Sequence, residues 1–326
     1  MVITLTISLS SNTRTIFEFD LPYAIPVSDG SYQIKIGQHI GTLLIKRVQR
    51  KEIVGFKSSA NLQLAFDKYG KSSYSRIQLT LPWIVNLQEE GRVPILLDRG
   101  LVRLKAKEKV LHILNRFIEA VRYVTEEYWV EPARYQDILS YQIFYLDGEK
   151  KHPAMLTLID SGVGGIGLGT DHPFKMKGEK IEQLNDILLD KHKLDTSRIF
   201  ILNSKDACFQ EDFRLATIEA VTALEMVLYK FIRKRGENLG IPNGALKNFI
   251  KETGVSGNMS VVLRMLTEGL EQIDEEIIDM CKGAITTRNK ILHEGLRDMY
   301  STDTEKRIIE IEKMLNYLRK LIADIQ

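Results

Sequence analysis

Residues 301 to 326 read STDTEKRIIEIEKMLNYLRKLIADIQ, and this stretch is the clearest structural element of the chain. Its apolar residues alternate at intervals of three and four positions, namely Ile308, Ile311, Leu315, Leu318, Ile322 and Ile325. That spacing predicts an amphipathic helix with a seam for packing against other helices. Thr302 and Glu305 stand three apart just before the seam. This is the pattern of a capping box, so we expect the helix to begin there.

The helical pattern extends back to about residue 206. A long helix is predicted from Phe213, Val221, Leu224, Leu228, Phe231 and Ile232, which share one face. Gly236 and the sequence Gly240-Ile241-Pro242 end it, and shorter helical segments follow at residues 245–252 and 261–266. A third main helix runs from about residue 274 to 293 and meets Gly295, where a left-handed cap is common. The sequence thus predicts an all-α four-helix bundle over residues 206–326.

The first 200 residues have a different pattern, typical of a β-rich domain with one or two helices. Strands are predicted from period-2 alternation and apolar runs at residues 3–9, 15–21, 31–36, 43–48, 53–56, 76–81, 140–146 and 155–159. Helices are predicted at 110–128, ended by Pro132, and at 179–190. The predicted fold class is therefore α+β, with a domain at 1–200, a sub-boundary near 105 and a helical domain at 206–326.

The composition narrows the class of protein. The hydrophobic fraction is 44% and the charged fraction 27%, which excludes disordered and fibrous chains. The net charge of +2 neither supports nor excludes nucleic acid as a partner. The chain starts with a strand pattern rather than a signal peptide and lacks a long apolar run, so we expect a cytoplasmic protein with no membrane contact. Two cysteines are too few for a disulfide framework or a cysteine zinc site.

Polar residues interrupt the apolar face of the third main helix. Arg288 lies in the middle of the stripe that includes Ile277, Cys281, Ala284, Ile285 and Leu292. Asn289 and His293 are four apart, so their side chains lie on one flank towards which Arg288 can lean. An arginine on an apolar face needs a partner. From the residues alone, Arg288 either pairs with a carboxylate such as Glu225 in a structural role, or it lines a site.

The stretch AITTRNKILHEG, residues 284–295, resembles the HEPN superfamily. The hallmark of that family is an arginine, usually a following polar residue, and a histidine after four to six intervening positions. Arg288, Asn289 and His293 fit it with four intervening residues, near the end of the third helix of the predicted bundle. The resemblance covers residues 206–326 and does not extend to the first 200.

The resemblance implies metal-independent RNA cleavage, with the site assembled from two motif copies across a homodimer. His293 would act as general acid or base, and Arg288 would hold the phosphate, with Asn289 orienting either of them. Glu225 and Glu294 are candidate supporting residues, and five cations are candidate RNA contacts: Lys230, Arg233, Lys234, Arg235 and Lys290. No metal and no cofactor are implied.

The family leaves two functions open. One is a ribonuclease effector, in a toxin or antiviral defence setting, regulated by the N-terminal domain through an unknown ligand or partner. The other is a noncatalytic HEPN module for binding or dimerisation, in which Arg288 and His293 stabilise the dimer.

Two weaker signals favour ordinary structural roles. Gly162, Gly164 and Gly167 spell G-x-G-x-x-G, but the following Thr-Asp-His-Pro sequence does not continue as the helix that a dinucleotide site requires. The remaining histidines lack the spacing of zinc ligands.

Overall fold

The computed structural model describes residues 12–21, 23–49, 73–83, 105–134, 137–138, 141–157, 176–270, 273–296 and 299–325. The chain divides into two compact units, Met1–Lys193 and Leu194–Gln326. Each unit has its own hydrophobic core. The α+β class is therefore confirmed, with the strands in the first unit and a helical second unit.

The strands described in the first unit form one antiparallel six-stranded sheet in the order β2-β3-β4-β1-β5-β6. Their bounds are β1 Arg14–Leu21, β2 Gly30–Ile36, β3 His39–Gln49, β4 Ser73–Leu81, β5 Tyr141–Asp147 and β6 Lys150–Thr157. Neighbouring strands pair in register, except for one irregularity between β5 and β6.

One face of this sheet carries the core of the first unit. Successive side chains of a strand point to opposite faces, so the apolar residues of the alternating pattern collect on one side. They include Phe17, Leu43, Leu79 and Ile143 from four adjacent strands. Helix α1, Lys105–Thr125, covers this face, and the ring of Phe117 meets that of Tyr32 at 5.2 Å.

A second helix, α2, Gly178–Leu188, packs beside α1. The Arg116 guanidinium of α1 donates to the carbonyl oxygens of Lys35 at 2.5 Å and of Leu188 at 3.3 Å. It also pairs with Asp190 after α2. This one side chain therefore joins α1, β2 and the end of α2.

Most of the predicted elements of the first unit are present. The predictions at 15–21, 31–36, 43–48 and 76–81 coincide with β1 to β4, and those at 140–146 and 155–159 overlap β5 and β6. The predicted end of α1 was wrong: the helix ends at Thr125, because Glu126 adopts the left-handed φ of 64°. The strands predicted at 3–9 and 53–56, and the glycines at 162–167, lie outside the described residues.

The described residues of the second unit form helices joined by short turns and loops. The helices are α3 Thr196–Phe209, α4 Phe213–Asn238, α5 Asn243–Gly257, α6 Leu263–Leu266, α7 Glu275–Glu294 and α8 Ser301–Asp324. A π-helical turn, Asn258–Val262, joins α5 to α6. Gly254 breaks α5 with a φ of 63°.

Helix α4 occupies the centre of this unit and packs against α3, α5, α7 and α8. Its inward face is small or apolar, and Leu224, Leu228 and Phe231 are completely buried. Helix α8 adds Ile308, Ile311, Leu315 and Leu318, as its three-and-four spacing predicts. Each large apolar side chain buried here contributes about 1.5–3 kcal/mol to folding.

Two details of the helical region differ from the prediction. The region was expected to begin near residue 206, whereas α3 begins at Thr196. Arg319 of α8 binds the N-cap of α3, Asp195, at 3.2 Å, which joins this helix to the second unit. The prediction of a capping box at Thr302 and Glu305 was wrong. Helix α8 begins after Tyr300 without a side-chain cap, and Thr302 lies within its first turn.

Candidate functional site

The local sequence of α7 fixes where the helix begins and ends. Asp274 caps its start by accepting a hydrogen bond from the Glu276 backbone N–H at 2.9 Å. Glu275 and Glu276 in the first turn are favourable at the positive end of the helix dipole. At the other end Gly295 adopts the left-handed conformation with a φ of 69°. These signals place the Arg-Asn-x-x-x-His sequence in the last two turns.

Arg288 points from α7 towards α4. Its Nη2 pairs with Oε1 of Glu225, and its Nη1 donates to Oδ1 of Asn289 at 3.1 Å. The side chains of Arg288 and Glu225 are only 17% and 24% exposed. Burial lowers the pKa of the Arg288 guanidinium, but an arginine remains charged at neutral pH. The structure therefore brings Arg288 and Glu225 together as a largely buried ion pair, with Asn289 accepting a hydrogen bond from the same guanidinium.

The last turn of α7 is open to solvent. His293 and Glu294 are exposed, and neither bonds another side chain in the described part of the chain. Leu292, on the same apolar stripe as Arg288, was expected in the core but is 53% exposed. Neighbouring helices thus cover the stripe up to Ile291, which is 3% exposed, and leave its final turn uncovered.

Helix α8 supplies a second arginine next to the motif. Nη1 of Arg307 donates to the hydroxyl of Thr287 at 2.7 Å, and that hydroxyl donates to the carbonyl oxygen of Gly283 at 2.9 Å. Thr287 directly precedes Arg288 in the chain. The sequence did not predict this contact, because no pattern within α7 or α8 signals a pairing between the two helices.

The predicted basic run is not assembled into one patch with the motif. Lys230 and Arg233 are exposed, whereas Lys234 donates to the Ile322 carbonyl oxygen at 3.1 Å. Lys234 lies nine positions beyond Glu225, about 13 Å along α4. Arg235 is half-buried and lines a separate cavity with Asp324. Of the candidate RNA contacts, only Lys290 lies in the last two turns of α7, where it is exposed.

The arrangement is suited to binding and proton transfer. In the described parts of the chain, no group of three or more His, Cys, Asp or Glu side chains could hold a metal ion. The same parts contain no helix that is both long and apolar enough to cross a membrane. What the site does offer is one guanidinium in a fixed position and one imidazole that solvent can reach.

Comparison of the chain with protein-family models, with curated proteins and with solved structures found no significant match.

Proposed function

We propose that the second unit is a HEPN-type four-helix domain that cleaves RNA without a metal ion. The observation that carries this proposal is the placement of Arg288 and Asn289, joined by a hydrogen bond, one turn before the exposed His293. Glu225 positions the guanidinium from the neighbouring helix.

The proposed chemistry follows from the residue types. The imidazole of His293 takes the proton from a ribose 2′-hydroxyl, or gives one to the leaving 5′-oxygen. The 2′-oxygen then attacks the phosphorus, the 5′-oxygen leaves, and a 2′,3′-cyclic phosphate remains. The planar guanidinium of Arg288 stabilises the negative charge that develops on the phosphate.

The proposed enzyme is a homodimer that forms around the end of α7. Cleavage needs one proton acceptor and one proton donor, and each chain provides a single motif histidine. A two-fold axis near this end supplies the second histidine and arginine. The exposed Leu292 lies on this surface, where a second copy of the chain would bury it.

The toxin or antiviral defence setting rests on the family resemblance, and the proposal includes a sensing or regulatory role for the first unit. It also includes a cytoplasmic location, and contacts to RNA from Lys290 and Lys230 on the basis of their charge and exposure. Glu294 would support the site from the last turn.

One observation favours the second candidate, a noncatalytic HEPN module. Glu225 already neutralises Arg288 within a single chain, which reduces the attraction of the guanidinium for phosphate. In that module, the Arg288 pair stabilises the fold, and Leu292 and His293 form only a dimer contact.

Incubation of the purified full chain with total RNA in EDTA separates the two candidates. The nuclease proposal predicts fragments that end in 2′,3′-cyclic phosphate, and their loss in Arg288→Ala. Arg214→Ala is the matched control, because it removes an exposed arginine from α4 that is not among the candidate RNA contacts. Intact RNA with the wild-type protein, at concentrations where it is dimeric, would favour the noncatalytic module.

A further inference from the structure

The sheet of the first unit has a second face, opposite α1, and this face carries a cavity of about 380 Å³. Its lining side chains come from four adjacent strands, β3, β4, β1 and β5. Seven of the ten lining residues, Glu18, Asp20, Leu44, Lys46, Arg76, Gln78 and Gln142, alternate with the core residues Leu43, Leu79, Phe17 and Ile143, so their side chains point away from the core. Ligand sites commonly occupy cavities of roughly 300–1,000 Å³.

The floor of the cavity consists of two rows of side chains across the strands. The first row holds Lys46, Arg76 and Asp20, which are partners in register. The second row lies two residues along each strand, about 7 Å away, and holds Leu44, Gln78, Glu18 and Gln142. The first row carries charge, and the second carries hydrogen-bonding groups with one apolar neighbour.

The charged groups are held in fixed orientations. Arg76 forms a two-point contact with Asp20, from Nε to Oδ1 at 2.9 Å and from Nη2 to Oδ2 at 3.1 Å. Glu18 pairs with Lys151 at 2.5 Å. Two cations and one carboxylate leave the first row with one excess positive charge, on the exposed Lys46.

The two amides are available to a ligand. Gln78 and Gln142 flank Glu18 in register, and both are half-buried. Among the described residues, neither side chain has a hydrogen-bond partner. Each amide offers a donor and an acceptor, whereas the ionised Glu18 only accepts. A ligand with a planar edge of donors and acceptors satisfies all three groups.

We propose that this face binds a nucleotide whose base carries an exocyclic amino group. The phosphate lies on Lys46 and Arg76, and the ribose spans the distance to the second row. The base edge bonds Gln78 and Gln142, and its amino group donates to Glu18, as glutamate accepts from the cytosine amine. Leu44 packs against the base plane. The same chemistry is presented by a free nucleotide and by a nucleotide within RNA.

Titration calorimetry of the full chain tests this site with cytidine 5′-monophosphate, adenosine 5′-monophosphate and uridine 5′-monophosphate. We expect the two amino-bearing nucleotides to bind at least about tenfold more tightly than the uridine nucleotide, since uracil lacks the amine for Glu18. Ribose 5-phosphate should bind at least about tenfold more weakly than any of them.

A 2′-O-methyl cytidine oligonucleotide, which resists cleavage through the 2′-hydroxyl, distinguishes the two sources. Binding of the mononucleotide assigns the site to free nucleotides, and binding of the oligonucleotide alone assigns it to RNA. Gln142→Leu and Lys46→Ala should each weaken binding about tenfold or more. Gln33→Leu and Lys109→Ala, both exposed residues outside the cavity, should not.

Three results would overturn the assignment. They are no binding of either the mononucleotides or the oligonucleotide at millimolar concentration, equal binding of ribose 5-phosphate, or unchanged binding in Gln142→Leu and Lys46→Ala proteins that melt like the wild type. The readout is binding alone, so His293→Ala protein should bind nucleotide normally. Absence of nucleotide binding would leave the nuclease proposal untouched, and absence of RNA cleavage would leave the nucleotide site untouched.

Discussion

The carboxylate of Glu225 on α4 accepts a hydrogen bond from the guanidinium of Arg288 on α7, across 63 positions of sequence. Both side chains are less than a quarter exposed, so the pair lies largely out of water. Loss of one partner leaves the other charge uncompensated in the helical core. The same ion pair therefore stabilises the second unit and fixes the position of Arg288, its candidate catalytic arginine.

A double-mutant cycle should detect this coupling. We expect Glu225→Ala and Arg288→Ala each to lower the free energy of unfolding, with a coupling of about 1–3 kcal/mol between them. The exposed pair Arg264–Glu275, whose side chains are 49% and 63% exposed, is the control and should couple by less than about 1 kcal/mol. Each cycle needs two single variants and one double variant. Urea unfolding of these six variants and of the wild type measures both coupling energies. Equal coupling energies in the two pairs would show that burial does not strengthen the Arg288–Glu225 ion pair.

Replacement of Leu292 by aspartate should dissociate the dimer, because it places a carboxylate where the proposed dimer contact would bury the leucine side chain. Sedimentation at micromolar concentration should give twice the 37.3 kDa chain mass for the wild type and a single chain mass for Leu292→Asp. Leu239→Asp is the control, since Leu239 is 59% exposed at the far end of α4. A monomeric wild type would contradict the proposed assembly.

Two glycines of the same helical region should respond oppositely to alanine. Gly295 has a φ of 69°, which alanine rarely adopts, so Gly295→Ala should cost about 1 kcal/mol. Gly283 lies inside α7, and open space surrounds the position that a Cβ would take, so Gly283→Ala should add about 0.5–1 kcal/mol. Thermal melting should show a lower melting temperature for Gly295→Ala and a higher one for Gly283→Ala than for the wild type. A stabilised Gly295→Ala would mean that the left-handed cap is not needed.

Cys281 should make the stability of the helical unit depend on pH. Burial raises the pKa of its thiol to about 12, whereas a thiol in an unfolded chain titrates near ~8.5. The folded state holds the proton more tightly, so this contribution is complete below pH ~8.5 and declines as pH rises towards 12. Between pH 7.5 and 9.5 the wild type should lose about 1.4 kcal/mol more than Cys281→Ala. Equal losses in urea unfolding would show that the thiol ionises in the folded protein.

Periodicity was sufficient to predict the elements whose burial follows from one strand or helix alone. The alternation in β1 to β4 and the seam of α8 belong to this class, and the glycine signal also predicted the cap at Gly295. The pairing of Arg288 with Glu225 was one of the two alternatives that the sequence left open, because an arginine on an apolar face needs a partner.

Features that depend on how two helices or strands pack against each other could not be predicted from the sequence. Leu292 has the right position for the core, yet its exposure is set by where the neighbouring helices end. The bond from Arg307 to Thr287 joins two helices whose relative register no local pattern determines. Polar floor residues such as Gln78 and Gln142 resemble ordinary solvent-facing strand positions until the strand register places them side by side.

The rate of RNA cleavage by His293→Ala, compared with His112→Ala in the presence of EDTA, tests the nuclease proposal most directly. The two variants carry the same substitution at an exposed histidine, but only His293 belongs to the motif. General acid and base catalysis commonly contributes about 10²–10⁴-fold, so we predict that His293→Ala loses at least about a hundredfold in rate. His112→Ala should retain the wild-type rate. Equal rates in the two variants, with both proteins folded and dimeric, would contradict the assignment of His293 as the acid or base.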